Sequence, residues 1–229
     1  MSITSWGYRL YPKGKAHLVR KILPTAREML VQHSLRSLTL SKYRNILVAG
    51  AGLDPYHGIF PNAQSYICFD IDGGHGNIDV RADALSMPFQ DKSCDCVLAT
   101  EILEHLKEPN LFIKEVQRVL APGGKVIVTV PFMFQQHANP FDFNRPTRES
   151  LMSWFEGYEN IKIVAQGNRL HAISDLLSTS FSGNKYLQAP FVIFRIFNHL
   201  FYWMDRFMNS EVSTAPTGYL LVAEKMRVE

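Results

Sequence analysis

Five short apolar runs, each followed by turn residues, constrain the fold of this chain more than any other feature of its sequence. Runs of this kind, without strict alternation of polar residues, are typical of strands that are covered on both faces. Their order along the chain predicts an α/β fold with a doubly wound, mostly parallel sheet. The runs are NILVAG (45–50), SYICFD (65–70), NIDVRA (77–82), DCVLAT (95–100) and KVIVTV (125–130).

The connections between the runs are unequal. A helix is predicted from Pro109 to Leu120, because proline opens that segment and Ala-Pro-Gly-Gly follows its end. The connection between Asp70 and Ile78 is too short for a crossover helix, since parallel neighbours usually need a dozen or so connecting residues. We therefore expect one edge of the sheet to be trimmed.

Two further strands are predicted near the carboxyl end, ENIKIVAQG (159–167) and TGYLLVAEK (217–225). The segment between them is too long for an unstructured loop, so a helical insertion before the last strand is expected. The chain is thus predicted to be one domain over residues 1–229. Its parts are an N-terminal helical cap (1–44), a core sheet (45–167 and 217–229) and the helical insertion (168–216).

Composition narrows the classes of function. The chain has 229 residues, of which 46% are hydrophobic and 20% charged, so it can bury one sizeable core. A formal net charge of +3 is too small to indicate a nucleic-acid partner, and none is expected. Cys68, Cys94 and Cys96 are expected to be buried thiols in a reducing compartment. We find no signal-peptide pattern and no run of about 18 apolar residues, so a cytoplasmic location is predicted.

The segment NILVAGAGLDPY (45–56) indicates a ligand site. Gly50 and Gly52 allow the backbone to approach a ligand without interference from a Cβ atom. Asp70 ends the second run, where a carboxylate can accept hydrogen bonds from two ribose hydroxyls. The third glycine of a dinucleotide-binding turn is absent, because Leu53, Asp54 and Pro55 follow Gly52. A nucleoside without phosphates therefore fits this turn better than a dinucleotide does.

Three later segments complete a pattern of four ordered motifs. They are ADALSMPF (82–89), CDCVLATEILEHL (94–106) and VLAPGGKVIVTVPF (119–132). Together with the glycine turn they resemble the class I S-adenosylmethionine-dependent methyltransferases, within the type 11 group that is associated with small molecules and glycans. The resemblance covers about Asn45 to Leu151 and implies a Rossmann-like sheet with S-adenosyl-L-methionine as cofactor. Two departures from the family pattern are Val48, where an acidic residue is usual, and Asp54, where a third glycine is usual.

The resemblance also implies roles for seven residues. Gly50 and Gly52 would flank the methionine and ribose parts of the cofactor, and Asp70 would hold the ribose hydroxyls. Asp83 would accept a hydrogen bond from the adenine amino group. Three more residues are implied: the backbone N–H of Ala84 would face the adenine ring, and Thr100 and Glu101 would lie near the methionine part and the acceptor.

The acceptor side of the site is predicted after the fifth run, in PFMFQQHANPFDFNRPTRES (131–150). If the acceptor is a hydroxyl, its proton must leave, and a neutral histidine is a suitable base near pH 7. His137 is the predicted catalytic base, with Asp142 to orient it, while a purely structural loop histidine is the alternative. Arg145 is expected to hold the loop or to bind an anionic group of the acceptor.

A metal site is a second interpretation of the same region. Glu101, Glu104 and His105 have an E-x-x-E-H spacing similar to that of methyltransferases that act on RNA ribose ends and on quinone precursors, some of which bind a divalent ion there. His137 would be the fourth ligand, and the ion would be Mg, Mn or Zn. The same string also occurs where Glu104 and His105 merely start a helix, so our prediction includes no metal.

Residues 190–207 form a predicted amphipathic helix. Its polar residues share one stripe opposite a wide apolar face, and they are Arg195, Asn198, His199, Asp205 and Arg206. Core packing, a homodimer contact or attachment to a membrane surface would each cover the apolar face.

The function predicted from these residues is methyl transfer from S-adenosylmethionine to a hydroxyl, or less favourably a nitrogen, of a small molecule, glycan or lipid-linked acceptor. The alternative is a non-catalytic cofactor-binding or interaction protein on the same fold, which Val48, Asp54 and the trimmed edge would suit. A nicotinamide-dependent oxidoreductase ranks third, because the third glycine is missing.

Overall fold

The sheet has seven strands in the order β3-β2-β1-β4-β5-β7-β6. A computed structural model describes residues 24–52, 56–72, 78–137, 140–180, 192–208 and 215–227. The strands are β1 (Asn45–Ala49), β2 (Ser65–Asp70), β3 (Val80–Arg81), β4 (Cys94–Thr100), β5 (Leu120–Pro131), β6 (Glu159–Gln166) and β7 (Gly218–Glu224). Strands β1 to β5 are mutually parallel, and β7 runs antiparallel to both β5 and β6. The predicted fold class is confirmed.

Five α-helices accompany the strands in the described part of the chain. They are α1 (Ala26–Arg36), α2 (Pro109–Val119), α3 (Arg148–Trp154), α4 (Arg169–Thr179) and α5 (Asn198–Met208). Short 3₁₀ helices cover His57–Ile59, Leu103–His105 and Val192–Phe197. None of the described helices combines the length and the apolar character that crossing a bilayer requires.

The sheet separates two apolar cores, because successive residues of a strand face opposite sides. Leu47 and Ala49 of β1 pack into the core that contains α2. Ile46 and Val48, one residue out of phase, pack into the second core, which includes Val31 and Leu35 of α1. Both faces of the central strands are therefore buried, which is why their sequences are continuously apolar.

The central position of β1 creates a ligand-binding edge. The chain proceeds from β1 through β2 to β3 on one side, and β4 then lies on the other side of β1. Because β1, β2 and β4 are parallel, their carboxyl ends meet at the point where the strand order reverses. This edge holds the predicted cofactor residues.

The N-terminal cap is described only from residue 24 onward, so the remainder of the predicted 1–44 cap lies outside the described residues. Helix α1 begins directly after Pro24 and Thr25, within the predicted helical cap. Thr25 and Glu28 form a reciprocal capping box at its start. Asp175 of α4 accepts hydrogen bonds from the backbone N–H groups of Ala26 (2.6 Å) and Arg27 (2.8 Å). A buried carboxylate from the insertion thus anchors the cap.

Two strand predictions differ from the structure. The predicted strand at 77–82 is reduced to two residues, Val80 and Arg81, and residues 73–77 lie outside the described residues. Strand β5 begins at Leu120, so it includes the glycines that were expected to follow a helix. The reason is pairing with the end of β7: Gly123 donates to Lys225 O at 2.9 Å, and Lys225 donates to Gly124 O at 2.8 Å.

The three cysteines are buried in strands β2 and β4, as expected. Burial raises the pKa of the Cys94 thiol to about 12. Burial also raises the pKa of Cys96 well above its usual range. Thiols in this state are poor nucleophiles and poor metal ligands.

The predicted orientation of residues 190–207 is wrong for two of the polar residues. Arg195 and Asn198 are 8% and 1% exposed, so they face the protein body. Asn198 accepts a hydrogen bond from Ser174 Oγ at 2.6 Å, which explains why it is buried. The apolar residues of this segment are exposed instead, and they include Ile196, Phe197, Leu200 and Trp203. Residues 190 and 191 and the side chains of Asp205 and Arg206 lie outside the description, and the homodimer or membrane contact stays a prediction.

Candidate functional site

The turn after β1 brings the backbone of one strand end to the carboxylate of the next. Gly50 and Gly52 have φ angles of +62° and +53°, which glycine adopts without strain. Gly52 donates its backbone N–H to Asp70 Oδ2 at 3.1 Å. A Cβ atom on Gly50 would meet the Ile102 side chain at 2.6 Å, so the turn lies close against the residues after β4. The following residues Leu53 to Pro55, which include the missing third glycine position, lie outside the described residues.

Asp70 is held by both of its oxygens. Oδ2 accepts from Gly52, and Oδ1 accepts from the backbone N–H of Asp72 at 3.0 Å. These two bonds fix the plane of the carboxylate at the end of β2. Each oxygen can accept a further hydrogen bond, so Asp70 is suited to bind a pair of neighbouring hydroxyl groups.

Asp83 and Ala84 lie beyond β3, on the same edge of the sheet. Ala82 donates its backbone N–H to Asp70 O at 2.9 Å, which ties this loop to the end of β2. Asp83 Oδ1 accepts from the backbone N–H of Leu85 at 2.8 Å, and its side chain is exposed. Ala84 is 8% exposed. The predicted contacts of both residues with the adenine are kept as proposals.

Glu101 ends the fourth strand in a strained backbone conformation. Its φ angle is +53°, which is unusual for a residue with a side chain. Its backbone N–H donates to Thr129 O at 2.9 Å, and Thr129 Oγ1 donates to Glu101 Oε1 at 2.9 Å. Thr100, the last residue of β4, pairs with Thr129 in the sheet register. The tertiary contacts of Glu101 thus hold a conformation that its sequence does not favour.

Arg27 contacts the candidate site, and the sequence did not reveal this. It comes from α1, is 3% exposed, and donates from Nη2 to Glu101 Oε1 at 2.5 Å and from Nε to Glu101 Oε2 at 3.0 Å. Its Nη1 donates to Gln166 Oε1 at 2.5 Å. An arginine in a basic amphipathic segment normally indicates a solvated face, and no signal in the sequence distinguished Arg27 from its neighbours.

The charge of Arg27 determines the state of Glu101. Burial would raise the pKa of the Glu101 carboxyl, but the Arg27 guanidinium and the Thr129 hydroxyl hold that pKa below its usual value. Glu101 is therefore a carboxylate at neutral pH. Arg27 and Thr129 already donate hydrogen bonds to its two oxygens. The predicted contact with the cofactor or acceptor therefore has to use a lone pair that these bonds leave free.

His137 lies in the loop after β5 and contacts Asp142, as predicted. Its backbone N–H donates to Asp142 Oδ2 at 2.7 Å, and its ring Nδ1 is 3.5 Å from the same oxygen. Arg145 forms a bidentate ion pair with Asp142, in which Nη2 donates to Oδ2 at 2.7 Å. Arg145 therefore holds the loop, which is one of the two roles predicted for it.

Both ionisable groups of this pair are in the states that general base catalysis requires. Burial lowers the pKa of the His137 imidazole, and the neighbouring His105 lowers it further. Burial would raise the pKa of Asp142, but Arg145 and the His137 backbone N–H hold it below its usual range. A neutral imidazole next to a carboxylate results.

Glu104 lies beside this histidine. Its side chain is completely buried, and His105 Nε2 and His137 Nε2 are 3.6 and 3.8 Å from its Oε1. Burial raises the pKa of Glu104 well above its usual value, and the negative charge of Glu101 raises it further. Among the described residues these three side chains form a group whose ligand atoms lie within 4.8 Å of one another. Glu101, the fourth member of the predicted metal set, is bound by Arg27 instead.

The described edge therefore has two parts. One part, built from Gly50, Gly52, Asp70, Asp83 and Ala84, has the open glycine backbone and the anchored carboxylate that a nucleoside requires. The other part, built around Glu104, His105 and His137, lies next to Glu101 at the end of β4. Such an arrangement is suited to an adenosine-type cofactor at one end and to an acceptor that meets ionisable groups at the other.

Known proteins with similar sequences are methyltransferases. Residues 57–128 match the family model described as a methyltransferase domain. The ubiquinone/menaquinone biosynthesis C-methyltransferase UbiE of Hahella chejuensis is 31% identical over 120 residues, which are 48% of this chain and 46% of that protein. The chloroplastic tocopherol O-methyltransferase of Arabidopsis thaliana is 47% identical over 47 residues, which are 20% of this chain and 14% of that protein. The matches thus span less than half of these curated relatives.

Known structures support the same fold. A SAM-dependent methyltransferase from Archaeoglobus fulgidus superimposes with a TM-score of 0.58 and 16% sequence identity, covering 93% of this chain and 100% of that chain. At this identity the likeness shows the fold. With the match over residues 57–128 and the likeness in fold, this chain is similar to S-adenosylmethionine-dependent methyltransferases in both sequence and fold.

Proposed function

We propose that this chain binds S-adenosyl-L-methionine at the edge formed by β1, β2 and β3 and transfers its methyl group to a small-molecule acceptor. The observation that supports this most directly is the hydrogen bond from Gly52 to Asp70. It aligns an open glycine backbone with a carboxylate that is already oriented for two hydroxyl groups. Methyl transfer from a sulfonium mainly requires that the two reactants be held in line, which can lower the barrier by about 7 to 11 kcal/mol.

The acceptor atom we propose is carbon, which differs from the hydroxyl expected from the sequence. The relative from Hahella chejuensis, which matches 48% of this chain, is named a C-methyltransferase. The tocopherol relative is named an O-methyltransferase, and it matches only 20% of the chain. Oxygen is therefore the second candidate. The identity of the acceptor molecule is a separate question that these names do not answer for this chain.

The acceptor loses a proton in either reaction. A carbon acceptor loses it from the attacked carbon or from a neighbouring hydroxyl, and an oxygen acceptor loses it from the attacking hydroxyl. His137 stays the predicted base for this step. Its Nδ1 side is engaged by the loop, so Nε2 is the ring nitrogen that remains to take a proton.

Binding and turnover need to be tested separately, because a non-catalytic protein on this fold would bind the cofactor equally well. Calorimetry with S-adenosylhomocysteine measures binding to the wild-type protein and to Asp70→Ala. Asp91→Ala is a matched control, because Asp91 is an exposed carboxylate in a surface ion pair with Arg118. Loss of affinity in Asp70→Ala alone supports the proposed cofactor site. If Asp70→Ala and Asp91→Ala bind S-adenosylhomocysteine with equal affinity, the proposed cofactor site is contradicted.

Turnover is tested with methyl-labelled S-adenosylmethionine and a panel of hydroxylated acceptors. The product is then examined by NMR, because a methyl group on carbon and one on oxygen have clearly different chemical shifts. A carbon-bound methyl supports the proposal, whereas an oxygen-bound methyl favours the second candidate. Cofactor binding without turnover on the whole panel favours the non-catalytic alternative.

A further inference from the structure

The buried carboxylate of Glu104 lacks the partners that a buried charge requires. Its side chain is 0% exposed, and neither Oε1 nor Oε2 accepts a hydrogen bond from the described residues. Burying an ionised carboxylate without hydrogen bonds is strongly unfavourable, so such groups in folded proteins are paired, protonated or bound to a metal. The surroundings of Glu104 determine which of these applies.

The loop after β5 encloses Glu104. The backbone N–H groups of Phe143 and Asn144 donate to the Glu104 carbonyl oxygen at 2.7 and 3.2 Å. Asn144 Nδ2 donates to the carbonyl oxygen of Leu106 at 2.6 Å. These bonds fix the loop to the 3₁₀ helix Leu103–His105, and they leave the Glu104 side chain facing the imidazoles of His105 and His137.

The hydrogen bond at His105 Nδ1 determines the protonation of the other ring nitrogen, Nε2, which faces Glu104. His105 Nδ1 is 2.6 Å from the carbonyl oxygen of Phe141. A carbonyl oxygen only accepts, so Nδ1 carries the proton, and Nε2 of the neutral ring has an unprotonated lone pair. That Nε2 is 3.6 Å from Glu104 Oε1. Two acceptor atoms therefore face each other.

His137 adds a third acceptor. Its Nδ1 lies 3.4 Å from the carbonyl oxygen of Gln135 and 3.5 Å from Asp142 Oδ2, with Arg145 Nη2 at 3.4 Å. In the tautomer with the proton on Nδ1, which the two acceptor oxygens favour and the Arg145 donor opposes, the lone pair is on Nε2. This Nε2 is 3.8 Å from Glu104 Oε1. With Glu104 ionised and His137 in this tautomer, three electron-rich atoms without a donor among them lie within 4.8 Å of one another.

We propose that Glu104, His105 and His137 bind a divalent transition-metal ion of the zinc type. Two neutral imidazoles and one carboxylate form a ligand set that suits zinc, with the fourth position open. Ligands at about 2.1 Å from a tetrahedral ion lie about 3.4 Å from each other, close to the spacings observed here. The contacts of Phe141 and Asp142 at the Nδ1 sides are those by which backbone carbonyls and carboxylates orient metal-binding histidines.

This ligand set differs from the one suggested by the E-x-x-E-H spacing. Glu101 accepts hydrogen bonds from Arg27 and Thr129, and it is not one of the three side chains whose ligand atoms lie within 4.8 Å of one another. An open position on the ion is thus left for water or for an oxygen of another molecule. The ion also takes Nε2 of His137, so metal binding and the predicted base role are alternatives for that atom.

The test uses the full chain, without a histidine tag, after dialysis against a chelator. Zn²⁺ and Mn²⁺ are titrated by calorimetry, and Co²⁺ is added as a spectroscopic probe, because a tetrahedral cobalt site absorbs strongly in the visible range. The proposal predicts one ion per chain and a tetrahedral Co²⁺ spectrum. Zn²⁺ affinity should fall by at least about tenfold in Glu104→Gln and in His105→Gln. Glu108→Gln is the matched control, because Glu108 is an exposed glutamate in the same segment.

Each outcome of the experiment decides the proposal. Circular dichroism of every variant confirms that the fold is retained, and Glu104→Gln removes a buried charge, so it should fold at least as well as the wild type. Absence of Zn²⁺ and Co²⁺ binding in the folded wild-type protein overturns the proposal in favour of a protonated Glu104. Binding that Glu104→Gln and His105→Gln leave unchanged also overturns it. Binding of S-adenosylhomocysteine is measured on the same samples, so failure of the metal site is distinguished from failure of the cofactor site.

Discussion

Arg27 and Glu101, which are 74 residues apart in the sequence, form a bidentate ion pair between helix α1 and the end of β4. The pair connects the N-terminal cap to the edge of the sheet that carries the candidate site. Glu101 is thereby held as a carboxylate in a left-handed backbone conformation, next to the buried Glu104. The cap is therefore in direct contact with the candidate site.

Replacing Arg27 with alanine should destabilise the protein. The substitution leaves the Glu101 carboxylate without its cation and Gln166 without its donor. Because the Glu101 side chain is 29% exposed, we expect a loss of about 2 to 3 kcal/mol in the free energy of unfolding, less than for a fully buried pair. Urea denaturation measures it, with Arg36→Ala, an exposed arginine of the same helix, as the control. Equal effects of the two substitutions would show that the pair contributes no stability.

Replacing Asp70 with alanine should weaken the binding of S-adenosylhomocysteine. Its carboxylate would make charge-assisted hydrogen bonds to the ribose, and losing them costs about 1.5 to 3 kcal/mol. Calorimetry should therefore show affinity lower by roughly 10-fold to 150-fold. Asp70→Asn, which keeps one acceptor oxygen, should have an intermediate effect. Wild-type affinity in Asp70→Ala would remove this residue from the cofactor site.

Replacing His137 with alanine should lower turnover much more than cofactor affinity. The loss of a positioned base reduces the rate by about 10² to 10⁴. The measurements are kcat on an identified acceptor and the dissociation constant of S-adenosylhomocysteine, which we expect to change by less than about twofold. His199→Ala, which replaces an exposed histidine, is the control. A normal kcat would leave His137 with a structural role only.

Asp175 should make stability depend on pH in the acidic range. Burial raises the pKa of this carboxyl from 3.8 to about 6. The folded protein therefore binds a proton more tightly than the unfolded chain does. The stability from this group is fully present below pH 4 and is lost as pH rises through 6, by roughly 1 to 3 kcal/mol.

Asp175→Asn provides the comparison for this prediction, since asparagine cannot titrate but keeps one oxygen for the N–H groups of Ala26 or Arg27. The free energy of unfolding of both proteins is measured by urea denaturation at pH 4, 5, 6 and 7. From pH 4 to pH 7, the free energy of unfolding of the wild type should fall relative to that of Asp175→Asn. A difference that is constant with pH would exclude Asp175 as the titrating group.

Local patterns in the sequence were sufficient for the fold and for the positions of the predicted cofactor residues at one edge of the sheet, while the cofactor contacts of these residues stay predictions. The predictions for five of the seven strands agree with the structure to within one residue at each end, because a strand covered on both faces must be apolar throughout. Helix α2 was found from its proline start and its glycine end. Gly50, Gly52 and Asp70 were found because glycine turns and strand-end carboxylates occur at fixed places in a parallel sheet.

Contacts between distant segments decided the rest. The sequence indicated that polar residues of 190–207 share a stripe, but only packing against α4 determined that Arg195 and Asn198 face inward. Likewise, the E-x-x-E-H spacing together with His137 suggested four metal ligands. Only the tertiary structure shows that Arg27 of α1 pairs with Glu101, which removes Glu101 from that set. Periodicity within a segment specifies which residues share a face. Which partner meets that face, and which charges it neutralises, is determined by the assembled tertiary structure.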